Sequence, residues 1–157
     1  MLHLLNLHFA GRLVRPAADV PRAAFYAYLT TTATDLGALQ DIAFDYVVTN
    51  IGNGYNENHG VFVAPTSGTY VLTATLLSGG TVGTWGHFVV NGNVIAKLNM
   101  HNAVYEQVTQ TVIVELNTGD DVSVQSTRLG AGISGDRYSS FSGFLLYPTE
   151  DTAAIIG

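Results

Sequence analysis

FDYVVTNIGNGYNENHGVFVAPTSGTY, residues 44–70, contains two β-strands, a long Asn/Gly-rich connection and a turn into a third strand. Ile42, Phe44, Tyr46 and Val48 alternate with Ala43, Asp45 and Val47. That period of two predicts one strand with a core-facing side. Asn50, Gly52, Asn53, Gly54, Asn56, Asn58 and Gly60 follow. These residue types tolerate positive φ or form local side-chain turns. Val61–Val63 resumes the extended pattern, and Ala64-Pro65 stops it because proline cannot donate to a ladder. Thr66-Ser67-Gly68 then turns the chain into Tyr70.

The same logic extends in both directions. Phe25, Ala27 and Leu29 alternate with Ala24, Tyr26 and Tyr28, and Thr30–Asp35 is predicted as a polar loop. Tyr70, Leu72, Ala74 and Leu76 form one face of a long strand. Trp85 precedes a strand from His87 to Val90, and Asn91-Gly92 is a strong hairpin signal into Val94–Leu98. After the loop at 99–102, Val112, Val114 and Leu116 mark another strand, and Val122 and Val124 the next. Leu129–Asp136 is predicted as a glycine-rich loop, and Ser140–Tyr147 as the last long strand, ended by Pro148. Many short strands with turns between them, and no helical period, predict a β-sandwich.

Composition agrees. The 157 residues suit one domain with a sizeable core. Only 11% are charged, against about 25% in typical domains, and 17 are glycine. A net charge of −6 offers no basic surface for nucleic acid or anionic membranes. There is no cysteine, which excludes disulfides and thiolate metal sites. No apolar run approaches the roughly 20 residues that a membrane-spanning helix needs. Residues 1–23 carry Leu2, Leu4, Leu5, Leu7 and Phe9 broken by His3, Asn6 and His8, without the basic start and unbroken apolar stretch of a secretory signal. They are expected to be an N-terminal extension, ahead of a domain at 24–148 and a tail at 149–157.

Phe44-Asp45, Val47, Asn50, Gly52, Tyr55-Asn56, Gly60, Phe62, Ala64-Pro65, Gly68 and Tyr70 resemble, in type and spacing, the globular head of complement C1q. Three further pieces agree in order: Phe25 and Ala27, Gly119-Asp120 with Val122 and Val124, and Phe141-Ser142-Gly143-Phe144-Leu145-Leu146. Leu72 departs from the pattern, standing where the family commonly has phenylalanine. The resemblance implies an all-β, ten-stranded, two-sheet jelly-roll sandwich of the tumour-necrosis-factor type, trimeric through its terminal strands. The residues support the same expectation, because Phe141, Leu145 and Tyr147 on one side and Phe144 and Leu146 on the other leave an apolar second face. The resemblance further implies a secreted, non-enzymatic recognition protein, most like invertebrate C1q-domain proteins of innate immunity. Relatives of that kind bind microbial carbohydrates as lectins. A structural or matrix-type trimer, in which calcium has a place and glycans do not, is the alternative.

Enzyme motifs are missing: no G-x-S-x-G, no phosphate-binding loop and no H-E-x-x-H occurs. Sugars need paired hydrogen bonds and a ring to stack on. Arg128, Asp136, Arg137 and Tyr138 supply both chemistries in one loop, although Arg137 can simply pair with Asp136. His101, beside Asn102, is a second recognition candidate, and Trp85 a third, though a lone tryptophan is usually core. His87 alternates with Phe88 and is expected to be an ordinary strand histidine. Some C1q-like heads hold calcium near the trimer axis. Glu106 falls on one of their acid positions, while the stretch from Asn99 to Asn102 offers only neutral donors such as the Asn99 carbonyl.

Overall fold

The structure, a computed structural model, describes residues 20–79, 83, 85–101 and 105–149. Among these, the strands in chain order are β1 (Ala24–Tyr28), β2 (Ala33–Leu36), β3 (Gln40–Asp41), β4 (Tyr46–Ile51), β5 (Tyr55–Asn56), β6 (Val61–Val63), β7 (Gly68–Leu77), β8 (Trp85–Val90), β9 (Asn93–Asn99), β10 (Gln107–Leu116), β11 (Asp121–Ser126), β12 (Ala131–Ile133) and β13 (Ser140–Pro148). One sheet runs β10-β7-β13-β1-β4 and the other β5-β6-β11-β8-β9, with β3 paired to β11. Among the described residues the two layers hold five and six strands, the expected two-sheet sandwich with β3 added at its edge. The separate pair β12-β2 is a further addition to that frame.

Alternation explains the core. Phe25, Ala27, Tyr70, Leu72, Ala74, Leu76 and Phe141 of the first sheet face Phe62, Phe88, Leu98, Val122 and Val124 of the second, and all are buried. Phe141 lies at the centre, with ring contacts to Phe25 at 4.8 Å, Phe88 at 5.8 Å, Phe44 at 6.0 Å and Tyr55 at 6.1 Å. Edge-to-face pairs of this kind add about 0.5–1.5 kcal/mol each beyond area burial. The Asn91-Gly92 hairpin forms as predicted, with φ of 48° and 77° joining β8 to β9.

The opening stretch differs from its prediction. Ile42 and Phe44 are buried, but Tyr46 and Val48 are 51% and 54% exposed. Residues 42–48 are not one strand: β3 belongs to one sheet and β4 to the other. The chain crosses the core at residues 42–45; the Ile42 N–H still donates to the Val124 carbonyl of β11 at 2.8 Å, but no ladder satisfies Phe44. The Tyr55 hydroxyl does so instead, accepting from the Phe44 N–H and donating to the Phe44 carbonyl, both at 3.1 Å. Asp45 accepts hydrogen bonds from the Thr30 amide and hydroxyl. Gly60 (φ 71°) packs beneath this crossing, where a Cβ would lie 2.2 Å from the Ile42 carbonyl oxygen.

Three other expectations are corrected. The two predicted loops at 30–35 and 129–136 contain β2 and β12, which pair with each other in a small third sheet. Tyr147 does not share the Phe141 side, because an irregularity between Leu145 and Tyr147 shifts the register and leaves Tyr147 exposed. Trp85 is not core. It sits on the outward side of β8 at 46% exposure, while Met100, from the predicted loop, is fully buried.

Candidate recognition site

At one end of the sandwich, the loops after β1 and β12 close on each other. Gly135 allows the approach, since a Cβ there would lie 2.2 Å from the Thr31 carbonyl carbon. The Asp136 N–H donates to the Thr30 carbonyl at 3.0 Å and the Arg137 N–H to the Leu29 carbonyl at 3.1 Å. Asp136 and Arg137 hold consecutive φ values of 50° and 68°. Side chains rarely adopt that region and it costs on the order of 1–3 kcal/mol, so such residues persist only where their surroundings over-determine them.

The clamp leaves a depression of about 520 Å³ lined by Thr30, Thr32, Tyr105, Gln107, Asp136 and Tyr138, among others. Tyr105 is 77% exposed, also at positive φ (66°), and Tyr138 is exposed too. The Gln107 amide donates to the Tyr138 carbonyl at 3.0 Å, fixing β10 against the loop. The depression thus combines two exposed tyrosine rings with an exposed carboxylate, an amide oxygen and two threonine hydroxyls. No nucleophile–base pair stands among these lining residues.

The sequence candidates separate. Asp136 and Tyr138 line the depression. Arg137 leans the other way: its guanidinium lies 5.6 Å from the Tyr28 ring centre and 3.8 Å from Asp136. Interaction with the Tyr28 hydroxyl and ring, then with Asp136, raises its pKa further. Arg128 donates to the Gly83 carbonyl at 3.4 Å, outside the depression. His101 offers its backbone N–H to Glu106 Oε2 at 2.7 Å. Asn102 lies outside the described residues. Asn99 belongs to β9, in a second hollow beside Trp85.

For calcium, Glu106 and Asn99 supply two side chains where the ion takes 6–8 oxygens. Among the described residues no group of three or more His, Asp or Glu side chains can hold a metal ion. Tyr105, Gln107, Thr30 and Thr32 escaped the sequence reading. The available signal was an aromatic residue, Tyr105, standing in the loop before β10.

The family model of the C1q domain matches residues 24–146. This chain belongs to the C1q-domain family. Complement C1q tumor necrosis factor-related protein 3 of Mus musculus is 31% identical over 138 residues, and its Homo sapiens counterpart is 30% identical. In each comparison 83% of this chain is covered, and the chain spans 55% of the relative's length. The globular domain of zebrafish complement 1qA superposes with a TM-score of 0.70 at 16% identity, over 82% of this chain and all of that one. Murine APRIL matches at a TM-score of 0.61 and 16% identity, over 80% of this chain and 98% of that one. These two likenesses establish the jelly-roll fold.

Proposed function

We propose that this protein is an extracellular, non-enzymatic recognition module that binds carbohydrate as a homotrimer. The depression between Tyr105, Tyr138 and Asp136 carries the reading, because stacking rings beside hydroxyl-pairing groups are what a pyranose requires. Each site is shallow and open, so a single sugar gains little. Three sites on one rigid body bind a repetitive surface through effective concentration, without any new contact. Microbial glycans are repetitive surfaces of this kind, which fits an innate-immune role.

The trimer is supported by the outer face of the first sheet. Ile113, Val71, Phe144, Ala24 and Ile51 are register partners in turn across all five strands, a continuous apolar row. Phe144 is 46% exposed in the protomer. C1q and tumour-necrosis-factor relatives form trimers, and the C1q tumor necrosis factor-related homologues are secreted. Calcium enters this reading only through copies of Glu106 brought together by assembly, since one protomer supplies too few oxygens.

A glycan array with the assembled protein tests the reading, with and without EDTA. Binding is expected to fall at least tenfold in Tyr138→Ala and Asp136→Asn, with the trimer intact by sedimentation. A trimer that binds no glycan, but whose stability depends on calcium, would favour the matrix-type alternative.

A further inference from the structure

The second sheet carries a different hollow, of about 530 Å³, on the outward side of β8 and β9. Trp85 opposes Asn99 and His87 opposes Lys97 in alternate register pairs, so four side chains of one face line it together. The wall across from them is Leu39, from the turn between β2 and β3. Leu39 is exposed and holds φ 61° at the third position of a turn closed by the Gln40 N–H and the Gly37 carbonyl. Glycine is the usual residue at such a φ. A bulky apolar side chain kept there against strain, and against water, points to a contact that the protomer alone does not supply.

A second observation lies in the same hollow. His87 Nδ1 is buried yet has no hydrogen-bond partner among the described residues. Continuing the row, His87 opposes Gln125 on β11 and Gln125 opposes Asp41 on β3. Lys97, the cation at the open end of this row, makes no ion pair among the described residues, where the only one is Arg137–Asp136.

We infer that this hollow is a second ligand site, for a saccharide ring bearing an anionic group. The exposed face of Trp85 and the Leu39 side chain take the ring's C–H faces. Asn99 pairs with hydroxyls and Lys97 holds the anion. A carboxylate and a sulfate share this chemistry. The site lies on the sheet opposite the apolar row, so assembly through that row leaves it open. It is independent of the depression at Tyr138.

Trp85 is the only tryptophan, so its emission reports the hollow directly. The full chain is titrated with oligogalacturonate, with a sulfated oligosaccharide and with the carboxyl-reduced neutral oligomer. Saturable quenching by either charged oligomer, at least tenfold tighter than by the neutral one, supports the site, and the preferred oligomer identifies the anion. Lys97→Ala should weaken that binding about tenfold, and Tyr138→Ala should leave it unchanged. Leu39→Gly should melt no lower than the parent yet bind more weakly. Equal titration by the neutral oligomer or by polyglutamate, an unaffected Lys97→Ala variant, or no emission change overturns the inference.

Discussion

The two sheets use one alternation rule on their inner faces but present opposite outer faces. The first, β10-β7-β13-β1-β4, shows Ile113, Val71, Phe144 and Ile51 in one row. Threonine pairs lie beside it, Thr73–Thr111 and Thr75–Thr109, each hydroxyl to hydroxyl at 2.9 Å. Tyr28 stacks on Tyr46 at 4.8 Å beneath Arg137. The second sheet shows Lys97, His87, Gln125 and Asp41 in its corresponding row. A sandwich buries only one face of each sheet, so the outer faces are free to diverge. The first exposes a continuous apolar row, and the second a polar one. On the readings proposed above, assembly and the anionic-saccharide hollow fall on opposite faces of one small domain.

The largest test of this contrast places one charge on each face. Phe144→Asp should abolish the trimer, because burying an unpaired carboxylate in a subunit contact is prohibitive. Trp85→Asp should leave the trimer whole. Sedimentation velocity distinguishes them, and loss of assembly in both variants would break the assignment of faces.

A middle-sized effect is expected where the chain crosses between the sheets. Tyr55→Phe removes the hydroxyl that satisfies both Phe44 backbone groups. Burial already holds this phenol protonated, raising its pKa, while the Phe44 backbone bond opposes the shift. Leaving those groups unpaired should cost about 1–3 kcal/mol in urea unfolding, with the outer faces unaltered.

The smallest effect is a pH slope confined to the second face. Desolvation, then the Lys97 charge, lowers the His87 pKa from its usual 6.5. The other polar groups in its row are Gln125 and, beyond it, Asp41. The unfolded chain therefore binds the proton more readily. The His87 contribution to stability is complete above about pH 6.5 and is lost as pH falls toward the lower folded value. His87→Gln should flatten that part of the stability curve, measured by thermal melts at graded pH.

Much of this was legible beforehand. Phe25 and Ala27, the alternating set from Tyr70 to Leu76, and the Asn91-Gly92 turn read correctly because local pattern and tertiary burial agree there. The same holds for Arg137 pairing with Asp136, an interaction between chain neighbours. The continuity of residues 42–48 was misread, because period two says which side chains alternate but not which sheet they join. The side on which Trp85 lies was left open for a related reason: it follows from register against Asn99, a pairing that depends on the hairpin's bulge between Phe88 and Val89.

The sequence by itself determined the long strands, the hairpin turn at Asn91-Gly92, the two-layer class and membership of the C1q family, all carried by spacing along the chain. Only the tertiary structure decided that Tyr105, Gln107, Asp136 and Tyr138 share one depression, and that Trp85, His87, Lys97 and Leu39 share another. These groupings join residues up to 58 positions apart, as from Leu39 to Lys97. They are fixed by backbone closures such as Gly135 against Thr31, which no one-dimensional period records.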